Sequence, residues 1–179
     1  MKYSNMSRMV KKKLPVLENI KFSKCENGFL VSNLTNSVFV STNNLVNIDT
    51  DDGLSFKSNE DSDSGMLGTT YVLMKNAMTD LVNGYGAKLK MVGVGFKANV
   101  SGKFLRLYIG LSHDVIVAIP NGLSVVVEAD VNIQIKGNDR AKVMQFARMI
   151  RDLKKPEPYK GKGIFLNDEK IVRKEGKKK

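Results

Sequence analysis

An order of segments that occurs twice dictates the architecture open to this chain: several short apolar runs closed by turn residues, then one amphipathic helix. Ile20 and Phe22 precede Asn27-Gly28, and Phe29 to Val31 precede the polar stretch Asn33 to Asn36. Val38 to Val40 precede Asn43-Asn44, and Leu45 to Ile48 precede Asp51-Asp52-Gly53. Runs this short, bounded by Asn, Asp and Gly, predict antiparallel strands. The acidic polar stretch Ser58 to Ser64 predicts a loop. The period then changes. Leu67, Val72 (or Tyr71), Met74, Met78 and Leu81 recur every three to five residues, which predicts a helix with Thr69 or Thr70 as its N-cap and Gly84 as its stop.

The second half repeats the order. Lys88 to Val100 alternates and carries Gly93 and Gly95; Ser101-Gly102-Lys103 is a turn, and Phe104 to Ile109 a strand. Two glycines inside a strand mark a bulge or a close backbone packing. Val115 to Ile119, the turn Pro120-Asn121-Gly122, Leu123 to Val127 and Val131 to Ile135 follow. Asp139 then caps a second helix whose buried stripe is Val143, Phe146, Ala147, Ile150 and Leu153. Lys154-Lys155-Pro156 ends it, because proline disfavours helix at the residue before it. The expected fold is α+β: two similar domains, each a small antiparallel sheet packed with one main helix, plus a basic C-terminal extension. The expected domains are 1–84, with a basic N-terminal arm, and 85–179, joined near Asn83 to Ala87.

Charge separates the halves. The chain has 29 Lys+Arg against 18 Asp+Glu, a net of +11. Residues 1–85 hold nine basic and nine acidic groups (9 − 9 = 0), so residues 86–179 hold twenty and nine (20 − 9 = +11). A one-sided excess of cations implies an anionic partner for that half, and nucleic acid is the usual one. A solvated lysine-rich surface is the alternative. The neutral first half is expected to face solvent or a protein neighbour.

Several classes are excluded. No apolar run approaches the roughly 20 residues of a membrane span. Cys25 is the single cysteine, so no intrachain disulfide forms, and His113 is the single histidine, so a zinc site lacks ligands. Ser112-His113-Asp114 are sequence neighbours between strands, which is not the spatial arrangement of a triad. Gly93-Val94-Gly95 lacks the third glycine and the strand-to-helix setting of a dinucleotide loop. No enzyme, cofactor, metal or small-molecule substrate is expected. Met1 to Lys13 is basic and has no apolar core, so it does not read as a secretory signal; an organelle transit peptide and an RNA-binding arm share its composition.

The sharpest chemistry lies in Lys154-Lys155-Pro156-Glu157-Pro158-Tyr159-Lys160-Gly161-Lys162-Gly163. The prolines hold the chain extended, Tyr159 offers a flat face to a base, and lysines alternate with glycines that permit close backbone approach to phosphate. A flexible, soluble terminus is the bland alternative. The lysine-rich end, Gly176-Lys177-Lys178-Lys179, is expected to order only on a polyanion.

These residues resemble the L6 (uL6) family of bacterial-type large-subunit ribosomal proteins. Pro156 to Ile164 is similar to its signature, and Leu89 to Ala98 to the opening of its second domain. Ile109-Gly110-Leu111-Ser112-His113, Gly137-Asn138-Asp139-Arg140, Ile150-Arg151, Gly68-Thr69-Thr70 and Met6-Ser7-Arg8 fit further segments in order. Departures are Asp114 in place of proline, Phe165-Leu166 in place of Arg-Tyr, and a first domain with Ser32 to Asn36 and an acidic loop at Glu60 to Asp63. The resemblance implies a structural protein that binds large-subunit rRNA near the translation-factor site, with ribosomal proteins of the stalk base as neighbours and translation factors nearby. It involves no membrane. A free-standing RNA- or DNA-binding protein is the other reading.

The expected RNA-binding residues are Lys88, Lys90, Arg148, Arg151, Lys154, Lys155, Tyr159, Lys160, Gly161, Lys162, Gly163, Arg173, Lys174, Lys177, Lys178 and Lys179. The diverged first domain and the Asn- and Lys-rich wording suit a mitochondrial ribosome; a bacterial cytoplasm or plastid stroma also fits.

Overall fold

The computed structural model describes residues 13–15, 17, 20–42, 46–49, 54–58 and 64–176. The chain divides into two compact units, Met1–Gly84 and Tyr85–Lys179. The expectations for the N-terminal arm, for Asn43-Asn44, for Asp51 to Gly53 and for Lys177 to Lys179 lie outside the described residues.

In the first unit β1 (Lys21–Cys25), β2 (Gly28–Ser32) and β3 (Ser37–Ser41) form an antiparallel sheet in that order. The first hairpin turns at Glu26-Asn27, with Cys25 opposite Gly28. β4 (Val46–Asp49) pairs antiparallel with β5 (Ser55–Ser58). Leu14 and Leu54 exchange backbone hydrogen bonds of 3.0 Å. The long helix α1 (Ser64–Asn83) buries Leu67, Tyr71, Met74, Ala77, Met78 and Leu81 in one cluster with Phe29, Val31, Val38, Val40, Leu54 and Phe56. Phe56 meets Tyr71 edge-on, with ring centres 5.5 Å apart.

The helix differs from the expectation at its start. It begins at Ser64, so Thr69 and Thr70 lie inside it. The Thr69 hydroxyl donates back to the Gly65 carbonyl at 3.1 Å, and Thr70 is buried. Such back-bonding satisfies a hydroxyl within a helix and needs no cap. Tyr71 takes the buried position, and Val72 is exposed. Gly84 does stop the helix: it adopts φ 72°, and its N–H donates to the Asp80 carbonyl at 2.9 Å. β5 was not anticipated, because Phe56 is a single apolar residue between polar ones.

The second unit contains β6 (Tyr85–Val92), β7 (Lys97–Ser101), β8 (Phe104–Tyr108), β9 (Val115–Ala118), β10 (Leu123–Glu128), β11 (Asn132–Gly137), α2 (Arg140–Leu153) and β12 (Gly163–Leu166). Two antiparallel sheets result, ordered β10-β11-β6-β12 and β7-β8-β9. Ala87, Leu89, Met91, Ile133, Ile135 and Ile164 share one core with Val143, Phe146, Ala147 and Ile150 of α2. Asp139 caps α2 as expected: its carboxylate accepts from the N–H groups of Ala141 at 2.9 Å and Lys142 at 3.3 Å. The Arg140 guanidinium lies 4.5 Å from the centre of the Tyr85 ring.

Two expectations need correcting. The alternation from Lys88 to Val100 is two strands, split by a turn at Gly93 to Phe96. Gly95 has φ 75°, and the Phe96 ring lies where a Cβ on Gly93 would be, 2.8 Å from it. No strand was expected after α2, yet Gly163 opens β12 and pairs with Val92 of β6. Ile164 is wholly buried, so the apolar triplet Ile164-Phe165-Leu166 is held by the sheet edge it completes.

Candidate nucleic-acid interface

Residues 154–162 form a compact knuckle between α2 and β12. α2 ends at Lys154 (φ −147°, ψ 82°), because Pro156 opposes helical geometry at the residue before it. The chain then closes on itself. Glu157 N–H donates to the Lys162 carbonyl at 2.8 Å, and Gly161 N–H donates to the Glu157 carbonyl at 3.1 Å. Ile164 N–H donates to the Lys154 carbonyl at 2.9 Å, which closes the base of the loop. The tail folds back over it: Lys174 N–H donates to the Pro158 carbonyl at 2.9 Å.

The two glycines serve this closure. Gly161 has φ 69°, and a Cβ there would lie 3.2 Å from the Arg173 guanidinium. Gly163 has φ 146°, and a Cβ there would lie 2.6 Å from the Pro156 Cα and 2.8 Å from the Lys155 carbonyl oxygen. Both glycines are buried. The close approach they allow is of the chain to itself.

What the knuckle presents outward is cationic. An open groove of about 590 Å³ is lined by Lys154, Lys155 and Lys162, with Glu157 as its one acid. Val94, Phe96, Ile109 and Gly110 form its apolar wall. Val94, at the tip of the β6–β7 turn, is 92% exposed. Tyr159 and Lys160 are exposed on the knuckle, and the Tyr159 side chain is free to stack. Three lysines lining an open groove suit a polyanion, because each phosphate that they neutralise releases counterions condensed on the nucleic acid.

The other expected residues fall elsewhere. Lys88 and Lys90 point from the face of β6 opposite α2, alternating with buried Ala87, Leu89 and Met91. Asn167 clasps the Lys88 backbone: Lys88 N–H donates to Asn167 Oδ1 at 2.9 Å, and Asn167 N–H donates to the Lys88 carbonyl at 2.6 Å. Arg148 is exposed on α2 and lines a second hollow with Arg151, Asp152, Leu166, Asn167 and Glu169.

Arg151 is engaged within the unit. Its Nε donates to Glu169 Oε2 at 3.3 Å, its Nη2 donates to Glu169 Oε1, and its Nη1 donates to Asp152 at 3.2 Å. Glu169 above all holds the guanidinium charged, against the effect of burial, with Asp152 adding to it. In return Arg151 pulls the Glu169 carboxyl below its ordinary range. Burial works against that pull, and the Leu166 N–H supports it. Lys174 and Arg173 are exposed beside the knuckle, while Lys177, Lys178 and Lys179 lie outside the described residues.

The apolar wall was missed in the sequence. Its only signal is the pair of glycines flanking Val94, with Phe96 just beyond. Among the described residues no group of three or more His, Cys, Asp or Glu is placed to hold a metal. No described helix is long and apolar enough to cross a membrane.

Comparison with known proteins covers these elements. The family described as ribosomal protein L6 matches residues 92–165, from the end of β6 through the groove to β12. The large ribosomal subunit protein uL6 of Polaromonas naphthalenivorans is 38% identical over 177 residues, covering 97% of this chain and all of the relative. That of Delftia acidovorans is 40% identical over the same span and coverage. That of a Janthinobacterium species is 44% identical over 146 residues, 80% of this chain and 82% of the relative.

Proposed function

The chain belongs to the ribosomal protein L6 family, and from that premise we propose that it is a structural constituent of the large ribosomal subunit that grips rRNA through its second unit. The observation that carries the proposal is the convergence of Lys154, Lys155 and Lys162 on one groove, presented by a backbone that its own hydrogen bonds hold fixed. Ordering a flexible lysine-rich loop on RNA would cost binding energy; here the loop is ordered beforehand. The mechanism is phosphate neutralisation with release of counterions, together with recognition of folded RNA by shape. Tyr159 and Lys160 extend the interface beyond the groove, and Arg173 and Lys174 flank it. Lys88, Lys90 and Arg148 add longer-range attraction.

On the family resemblance the protein sits near the translation-factor site, with stalk-base proteins as neighbours and translation factors passing by. Its role there is structural rather than enzymatic. The relatives named above are bacterial, which supports a bacterial-type large subunit as the assembly. A mitochondrial ribosome is the setting suggested by the diverged wording of the first half.

The test uses the full chain with Lys154, Lys155 and Lys162 all changed to Gln. Filter binding to large-subunit rRNA is measured across a salt series, beside sedimentation with large subunits. The salt slope should fall by roughly one unit for each phosphate that is no longer neutralised, with the thermal melt unchanged. Binding and slope equal to the parent would remove the groove from the interface. RNA binding without cosedimentation would favour a free-standing RNA-binding protein.

A further inference from the structure

The outer faces of the second unit's two sheets differ. On the four-stranded sheet that face carries Ser124, Val126 and Glu128, then Asn132, Gln134 and Lys136, then Lys88 and Lys90, an almost wholly polar surface. On β7-β8-β9 it carries large apolar groups. Along the middle strand β8, Leu105 and Leu107 are wholly buried, while Phe104 is 53% and Tyr108 40% exposed on the opposite side. Ile116 of β9 is 55% exposed beside them, opposite Arg106.

We propose that this face is a stacking platform for unpaired RNA nucleobases, continuous with the lysine groove and resting on the rRNA-binding role assigned above. Side chains two apart on a strand share a face and lie roughly 6.6 Å apart. Phe104 and Tyr108 are therefore about 13 Å apart, with Arg106 between them. That distance is too great for the two rings to clamp one base, so each ring receives its own. The cations are placed for the backbone joining those bases. Lys97 is directly across from Tyr108, Lys103 turns the chain into Phe104, and Arg106 stands midway.

The acid on this face is Asp114, 3.8 Å from Arg106 with both side chains about half exposed, a pairing a phosphate can replace. Tyr108 first and Asp114 next keep the Arg106 guanidinium charged. Three cations against one engaged acid favour a polyanion over a protein surface.

The platform also joins the groove through the chain itself. Val94 and Phe96 of the groove wall lead directly into β7, and Ile109-Gly110 follow β8. A strand of RNA leaving the groove at Lys162 meets the Lys97–Tyr108 end of the sheet first. Stacking on an exposed ring is tolerant of sequence, because every base has a flat face.

The test uses the full-length chain, a mixed-sequence single-stranded decaribonucleotide and large-subunit rRNA. Phe104→Leu with Tyr108→Leu removes both rings and keeps the face apolar, and circular dichroism melts confirm that the fold is retained. Single-strand affinity should fall roughly tenfold or more for the pair, with the salt slope unchanged because no charge is lost. Since the chain has no tryptophan, Phe104→Trp supplies a single reporter whose emission the oligonucleotide should quench. Parental affinity in the leucine pair, with no quenching of the tryptophan, overturns the platform. If the groove's Lys→Gln variants still weaken rRNA binding in that case, the rRNA role stands without it. If they do not, that role falls as well. A leucine pair that binds both RNAs normally but fails to sediment with subunits marks the face as a protein contact, and that also overturns the proposal.

Discussion

Residues 1–84 balance nine basic groups against nine acidic ones, while residues 85–179 carry twenty against nine. Both nevertheless bury one helix against antiparallel strands: α1 lays Leu67 to Leu81 on its core, and α2 lays Val143 to Ile150 on its own. The difference begins where each helix stops. α1 ends at Gly84 in a left-handed conformation and the chain passes straight into β6. α2 ends at Lys154, and the chain inserts a knuckle before joining the sheet as β12. A core uses only one face of each element, so the plan of a domain leaves its binding chemistry undetermined. The cations of the second unit's groove sit on what was added after the shared plan was complete.

The comparison can be broken most forcefully in the two cores. Met74 in α1 and Ile150 in α2 are both wholly buried. Met74→Ala and Ile150→Ala should each destabilise their unit by about 2–5 kcal/mol, by lost burial and a residual cavity. Chemical denaturation followed by circular dichroism measures this. Only Ile150→Ala should weaken rRNA binding, since it loosens the helix from which the knuckle springs. Equal loss of binding from both would end the distinction between a neutral and a binding unit.

The helix stops offer a finer contrast. Gly163→Ala forces a Cβ to 2.6 Å from the Pro156 backbone at φ 146°, so a loss of about 3 kcal/mol is expected. Gly84→Ala carries the left-handed penalty at φ 72°, roughly 1–2 kcal/mol. Both show in thermal melts, and only the first should also lower rRNA affinity. A Gly163→Ala protein that melts like the parent would mean that the knuckle is not held by this glycine.

Local signals were legible in the sequence where one residue decides the outcome. Asp139 caps α2 because an acid precedes a clean apolar period, and Gly84 stops α1 because it alone there accepts positive φ cheaply. Signals that depend on distant partners were not. β12 is three apolar residues after a run of Lys and Gly, and only the open edge of β6 makes them a strand. α1 begins before its first apolar residue, so Thr69 and Thr70 drew the cap inward. The charge of Arg151 was visible, but Glu169, eighteen residues away, was not visible as its partner. Phe104 and Tyr108 were read as strand residues without a face, because the alternation alone does not say which side a neighbouring element covers.

The smallest effect expected concerns that ion pair, which ties the chain beyond β12 back to α2. Arg151 grips both oxygens of Glu169, and the side chains are 28% and 27% exposed. Arg151 lowers the carboxyl's pKa from an ordinary 4.5. A depressed carboxyl pKa gives stability that is present above the unfolded-state value and is lost as pH falls through the folded one. Glu169→Gln keeps the size and removes the charge, so it should destabilise the second unit by about 1–2 kcal/mol at pH 7, a shift of several degrees in Tm. The gap between variant and parent should hold down to about pH 5 and close below 4.5, once the parent carboxyl is itself protonated. The variant also releases Arg151 from one of its two acids, leaving Asp152, so rRNA affinity at neutral pH should hold or rise slightly. A gap that stays constant from pH 7 to pH 3 would show that shape rather than charge fastens β12 to α2. A fall in rRNA affinity would show that the clasp itself, and not only the lysines, sets the groove.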